Sequence, residues 1–362
     1  MLASSRAEAS TSTTTSAAVV APVPAAPRVG LSYGDTLPKA TAADLGATLD
    51  DARAVGVSWI RVDLGWDRIQ PTSSASFDWS SFDRTVAAAN ARGLSVLPIL
   101  TYTPSWARPV GCSTPKCAPS SRAQFAAFAK AAAIRYAPLG VHTWEIWNEP
   151  NLQHFWQPAP NAAQYVSLVT ATARAVRAAD ASATLVSGGL APAATGSGNI
   201  SQLDFLTAFC QKGGVGLVDA IGFHPYSYPV LPEYNAPWNA WAQMATTTRS
   251  FESILTTYGA GAKPIWITEF GAPTNGPGAG ATQADLNLAN HPDHVDEALQ
   301  ARMATDSIAL AKNAKFIGAL FWYSYRDLGT DPSTIENFFG LRRNDGTIKP
   351  AWSALHQAAV GG

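Results

Sequence analysis

Charge is what this chain has least of. Of its 362 residues, 14% are Asp, Glu, Lys or Arg, and the formal net charge is −1. So weakly charged a chain offers no basic face to nucleic acid or to an acidic membrane. No apolar run approaches the eighteen or so residues that span a bilayer, so no transmembrane segment is expected. Cysteine is nearly as scarce: Cys112, Cys117 and Cys210 are the whole supply. Cys112 and Cys117 have no histidine or further cysteine at zinc spacing beside them. The turn after the first strand-like run reads Leu31-Ser-Tyr-Gly-Asp35, which is not a glycine-rich phosphate loop. The same stretch lacks a metal-binding His-x-His pair. His291 and His294, three apart in a loop, are expected to be solvated. Neither a metal nor an organic cofactor is therefore expected.

What is plentiful is apolar: hydrophobic residues make up 47%, with 12 Trp among them. The length suits one large barrel or two domains. Residues 1–27 are low-complexity Ala/Ser/Thr/Pro without the basic and apolar regions of a firm signal peptide. They are expected to form a flexible tail, with residues 28–362 as one domain. Cys112 and Cys117 flank Ser-Thr-Pro-Lys in a polar loop. They are close enough for a small disulfide ring, which would fit a secreted or envelope-associated protein, or are two free thiols. Cys210, in an apolar helical pattern, reads as a buried free thiol.

Strand-like runs recur at 28–33, 57–63, 94–100, 143–148, 184–187, 218–224, 264–269 and 316–323. Amphipathic helical patterns lie between them, such as Phe82, Val86 and Ala89, or Phe125, Phe128, Ala132 and Tyr136. Another runs through Tyr165, Leu168, Val169, Thr172 and Val176, with Asn161 and Gln164 as a capping pair ahead of it. Strand and helix alternating eight times predict an α/β fold, a single closed (β/α)8 barrel with long loops after strands 3, 6 and 7. Functional groups of such a barrel gather where strands end. Those ends carry Asp35, Arg61, Asp63, Tyr102, Trp106, Asn148, Glu149, His224, Tyr226, Glu269, Trp322 and Tyr323. Trp106 and Trp322 are the aromatic faces best placed to stack on sugar rings.

In the run His142–Asn151, strict alternation puts Glu145, Trp147 and Glu149 on one face. Glu145 and Glu149 then lie about 13 Å apart along the strand, too far for a catalytic pair. A second apolar strand, Lys263–Pro273, ends in Glu269. Two strands that each deliver one carboxylate to a rim satisfy what acid-assisted glycosidic cleavage needs.

Trp-Asn-Glu-Pro-Asn (147–151), Phe-His-Pro-Tyr (223–226) and Ile-Thr-Glu-Phe-Gly (267–271) carry a further signal. With Arg61–Trp66, Thr103–Ala107 and Lys349–Trp352 in support, the chain resembles the retaining glycoside hydrolases of the large cellulase-like clan. Within the clan it is most similar to the β-xylosidase/α-L-iduronidase family 39 and its exopolysaccharide-hydrolase relatives, over residues 28–358. The resemblance implies that Glu149 is the acid/base and Glu269 the nucleophile. It further implies that Asn148 binds a sugar hydroxyl, Tyr226 bonds the nucleophile, and His224 lines the subsite. Trp322 would floor it, while Arg61 sits beneath Glu269 and Glu145 is a buried structural carboxylate. Trp147, Trp106 and Tyr102 are further substrate-binding candidates at the strand ends. The expected partner is a polysaccharide or oligosaccharide, an exopolysaccharide or cell-wall glycan, with the protein a monomer. Walls made by the loops 225–244 and 272–293 would favour attack within a polymer. A non-catalytic carbohydrate-binding barrel and a transglycosylase on the same carboxylates are the alternatives.

Overall fold

The strand-like runs fold as eight parallel strands. They are β1 Arg28–Ser32, β2 Trp59–Gly65, β3 Ser95–Thr101, β4 Thr143–Ile146, β5 Thr184–Ser187, β6 Ile221–Phe223, β7 Ile265–Phe270 and β8 Ile317–Tyr323. The structure is a computed structural model that describes residues 27–282 and 293–361. The anticipated tail, apart from Pro27, lies outside the described residues, as does His291. The sheet runs β5-β4-β3-β2-β1-β8-β7-β6. Its two ends meet through the bridges Val186–Ala220 and Leu190–Phe223, with Ser187 N–H donating to the Ala220 carbonyl at 3.1 Å. The result is the expected (β/α)8 barrel, nearly closed.

Parallel neighbours need a crossover, and helices supply it. The main ones are α1 Ala42–Val55, α2 Ser80–Asn90, α3 Arg122–Tyr136, α4 Ala162–Ala179, α5 Gln202–Gln211, α6 Phe251–Thr257, α7 Glu297–Asn313 and α8 Pro350–Val360. Polar N-caps start many of them: Thr41, Ser121, Asn161, Ser201 and Asp296 each accept a bond from the backbone N–H three residues on. The buried stripe of α4 is Ala162, Tyr165, Leu168, Val169, Thr172, Ala173 and Val176, which contains the residues its periodicity picked out.

Inside the barrel the side chains stack in layers, and β2 displays the order. Trp59 joins an apolar plug of Leu97, Val186, Ala220, Trp266, Ala319 and Phe321. Two residues on, Arg61 forms a fully buried ionic layer. Two more residues on, Asp63 reaches the open mouth. Greasy base, charged middle and open top follow from the period of two on one strand.

The loops meet expectation at the cysteines and depart from it at His294. Cys112 and Cys117 are joined as a disulfide, and Cys210 is buried and free, as anticipated. His294, expected in solvent, is 4% exposed, because its ring packs under Gly276 and Gly280 and bonds Asp293 at 2.7 Å. The loop after β6 folds on itself around Asn239, whose amide donates to the carbonyls of Leu231, Pro232 and Tyr234.

Candidate active site

Arg61 organises the mouth of the barrel. Its Nε donates to Glu145 Oε2 at 2.6 Å, and Nη2 donates to Glu145 Oε1 at 3.0 Å and Asn148 Oδ1 at 2.9 Å. Nη1 donates to Ser32 Oγ at 3.0 Å and also to Glu269 Oε1. All five N–H groups of the fork are used, joining β1, β2, β4 and β7. Glu145 takes a further bond from Gly189 N–H at 3.0 Å, which fits its anticipated structural role.

β4 stops at Ile146, and there the backbone leaves the extended region. Trp147 has φ 70° and Glu149 has φ 44°, both left-handed values that cost a non-glycine residue energy. The expected shared face of Glu145, Trp147 and Glu149 is therefore wrong, because period two holds only along extended chain. Trp147 is turned out of the barrel and fully buried against Tyr102, Phe125 and Trp156, with its Nε1 donating to the Phe155 carbonyl at 2.8 Å. It does not line the cleft. Glu149 is turned in.

His224 stands between the two strand-end carboxylates. Its Nδ1 is 2.8 Å from Glu149 Oε1 and 3.6 Å from Glu269 Oε2, while Nε2 bonds Thr268 Oγ1 at 3.0 Å. Tyr226 Oη donates to Glu269 Oε2 at 2.8 Å. An oxygen of Glu149, a ring nitrogen of His224 and an oxygen of Glu269 all lie within 4.8 Å of one another. Such a trio can ligate a cation, but Arg61 and Tyr226 already donate to Glu269, and the guanidinium charge opposes a second positive ion there.

This packing leaves no room beneath His224. A Cβ on Gly189 would lie 2.1 Å from His224 Nε2 and 2.6 Å from Thr268 Oγ1. Gly189→Ala is therefore expected to push the imidazole off Glu149 and destabilise the fold by about 1–3 kcal/mol. Thermal unfolding measures the loss, and unchanged stability with unchanged activity would contradict this packing.

Burial alone would raise the Glu269 carboxyl. The nearby His224 ring and Arg61 guanidinium, with hydrogen bonds from Tyr226 and Arg61, outweigh it and hold the group below the usual range. For Asp63 the balance goes the other way. Burial and the charges of Asp35, Glu269 and Glu145 prevail over Arg61 and push it up to about 7.

A cavity of about 780 Å³ opens above these groups. Asn148, Glu149, Glu269, Tyr102 and Asp63 line it, and it runs towards the loops after β1, β2 and β3. Trp322 does not floor it. Phe321 points into the barrel plug, so Trp322 points outward, fully buried against Phe270, and Tyr323 takes the cleft position. Trp106 is tied down behind the wall, its Nε1 donating to the Gln70 carbonyl at 2.7 Å and its ring edge-on to Trp66. Among the described residues, the loops after β6 and β7 do not line this cavity. Lys116 and Phe155 do, with the ammonium 4.1 Å from the ring centroid. Sequence reasoning missed both, since no local pattern marks them.

The model of the cellulase family, glycosyl hydrolase family 5, matches residues 30–307. A β-xylosidase of Geobacillus stearothermophilus is 42% identical over 95 residues, 26% of this chain but only 18% of that protein. A family 39 glycoside hydrolase from Bacteroides cellulosilyticus shares the fold with a TM-score of 0.68 at 24% identity, over 92% of this chain and 64% of that one. A monomeric beta-xylosidase from Caulobacter crescentus gives a TM-score of 0.66 at 19% identity, over 93% and 69%. A family 5 enzyme from Streptomyces cattleya, solved with GlcNAc, gives 0.65 at 19% identity, over 92% and 80%.

Proposed function

The chain belongs to the cellulase family, glycosyl hydrolase family 5, and on that premise we propose that it cleaves glycosidic bonds with retention of configuration, Glu269 acting as nucleophile and Glu149 as acid/base. The observation that carries this is the approach of the two carboxylates, an oxygen of each within 4.8 Å of the other. Retaining enzymes hold their carboxyls about 5 Å apart, whereas inverting ones leave about 6.5–9.5 Å for a water.

The partners suit the roles. Glu269 is held ionised by Arg61 and Tyr226, ready to attack the anomeric carbon. Glu149 protonates the departing oxygen and then, as a carboxylate, takes a proton from the water that breaks the glycosyl–enzyme bond. Asn148 has its carbonyl oxygen fixed by Arg61, which directs the amide N–H group towards a sugar hydroxyl beside the reacting carbon. The substrate is an oligosaccharide or polysaccharide, a reading supported by a cavity within the range of about 300–1,000 Å³ that takes ligands larger than one sugar ring. The disulfide is the support for secretion or an envelope location.

The test is a panel of nitrophenyl glycosides and their oligosaccharide forms, with the first-formed sugar anomer followed by NMR. Release of the opposite anomer would overturn retention. A second outcome concerns pH. Tyr226→Phe removes a bond that favours ionised Glu269, so its carboxyl rises towards the ordinary value. The acid limb of kcat/KM is expected to move up by as much as about one pH unit, with more activity lost at pH 5 than at pH 7. An unmoved limb would mean that Tyr226 does not govern the nucleophile.

A further inference from the structure

Asp63 is the cleft carboxylate that neither the ionic layer nor the two-step chemistry uses. The other acids lining the cavity are paired or buried in their own turns. Asp35 pairs with Lys39 and Arg68, and Asp78 accepts from Ser80, while Asp67 is held at its own turn with Oδ1 buried and unpaired rather than open to the cavity. Among the described residues, no hydrogen bond joins the Asp63 side chain to another group, and it remains half-buried in the cavity wall. Arg61 lies one layer below on the same strand face. Tyr102 on the β3 side and Tyr323 on β8 also line the mouth, and Lys116 lies across the cavity. Asp63 lines the same cavity as Glu269 and Tyr323 and feels the Glu269 charge. The sugar that bonds to Glu269 is the glycone.

We propose that Asp63 is a specificity-determining residue: its carboxylate accepts hydrogen bonds from hydroxyls of the glycone and turns away uronic acids. The inference rests on the retaining-glycosidase reading above and names the substrate class for that site. A carboxylate offers two oxygens, and neighbouring sugar hydroxyls offer two donors at matching reach. Above about pH 7, where Asp63 is ionised, a uronate in the same place brings a negative charge beside Asp63, Glu269 and Asp35, with Lys39 and Arg68 committed to Asp35 and Lys116 as the cation left across the cavity. In a half-buried site that repulsion is weakly screened. The upward shift of Asp63 fits a group whose proper donor arrives with the ligand.

Matched aryl glycosides at pH 8, where Asp63 is ionised, test it: β-glucoside against β-glucuronide, and β-galactoside against β-galacturonide, with wild type and Asp63→Asn. The wild type is expected to cleave the neutral member of at least one pair and neither uronide. Asp63→Asn should lose about tenfold to a hundredfold in kcat/KM on the neutral sugar, the scale of a hydrogen bond to a charged group, and should narrow its lead over the uronide. Its fold should not suffer. A carboxyl raised on folding favours the unfolded state once pH exceeds its ordinary value, so Asp63→Asn should melt higher than wild type at pH 8, with the gap closing towards pH 4. A purely structural Asp63 would instead lower the melting temperature when replaced. Preference for a uronide by wild type, or an unchanged ratio in Asp63→Asn, overturns the proposal. If wild type cleaves nothing, the same sugars are titrated against it by tryptophan fluorescence. Selective binding of neutral sugars then upholds this inference while catalysis fails, and no selectivity or no binding ends it.

Discussion

Glu269→Gln is expected to lower kcat/KM by about 10⁵-fold or more, the order reached when a covalent nucleophile is removed. The amide is nearly isosteric: its one oxygen can still accept from Arg61, and its NH2 can donate to the Tyr226 hydroxyl, so the fold should survive. Glu149→Gln should cost less, about 10²–10⁴-fold, and least on nitrophenyl substrates whose leaving group needs little protonation. Small anions separate the two roles further. In Glu269→Ala, azide can enter the vacated space and attack the anomeric carbon directly, which gives a glycosyl azide of inverted configuration. In Glu149→Ala, azide meets the glycosyl–enzyme already formed, and the product keeps its configuration. Exchanged stereochemistry between the two variants would reverse the assignment, and full activity in either would remove it.

Arg61→Met should be the most damaging change to stability, about 3–5 kcal/mol in urea unfolding. The cost is not the sum of the lost bonds. It comes from leaving Glu145, which is fully buried, with a negative charge and a single remaining donor, Gly189 N–H. Glu269 and Asn148 lose their anchor as well. Arg61→Lys keeps the charge but has three donors on a flexible stem, so it cannot span Ser32, Glu145, Asn148 and Glu269 together, and only partial recovery is expected. A methionine variant as stable as wild type would show that the ionic layer is dispensable to the fold.

The barrel was legible because each of its eight strands is a short apolar run closed by turn residues, and helices fill the intervals between them. The pair Glu149 and Glu269, and the Tyr226 that bonds Glu269, were legible because each stands within three residues of a strand end, whereas Arg61, mid-strand in β2, was assigned its role through the resemblance. What failed did so for local reasons. Alternation placed Trp147 beside Glu149, but it cannot foresee a residue at φ 70°. Trp322 and Tyr323 are neighbours, and only the inward side chain of Phe321 decides which of them meets the cleft. Trp106 carries the right chemistry for a sugar platform, yet its N–H is claimed by a carbonyl 36 residues away in sequence. Lys116 comes to the cleft through the bridge between Cys117 and Gln157, a contact between two loops that no periodicity encodes. Aromatic loop length misled in the same way, since Tyr234 and Trp238 pair with each other in solvent and do not wall the cavity.

The left-handed turn at Trp147 has a bearing on how this molecule could be improved in the laboratory. Residues at such angles cost on the order of 1–3 kcal/mol each, and the surroundings must hold them there. Here the holding is done from behind, by the indole of Trp147 wedged among Tyr102, Phe125 and Trp156 and pinned to the Phe155 carbonyl. Phe125 and Trp156 never meet a substrate, yet their volume fixes where Glu149 points. A mutagenesis library drawn only from the cavity lining would leave out these back-of-wall aromatics, through which small changes of ring size could re-aim the acid/base without altering one atom that touches sugar.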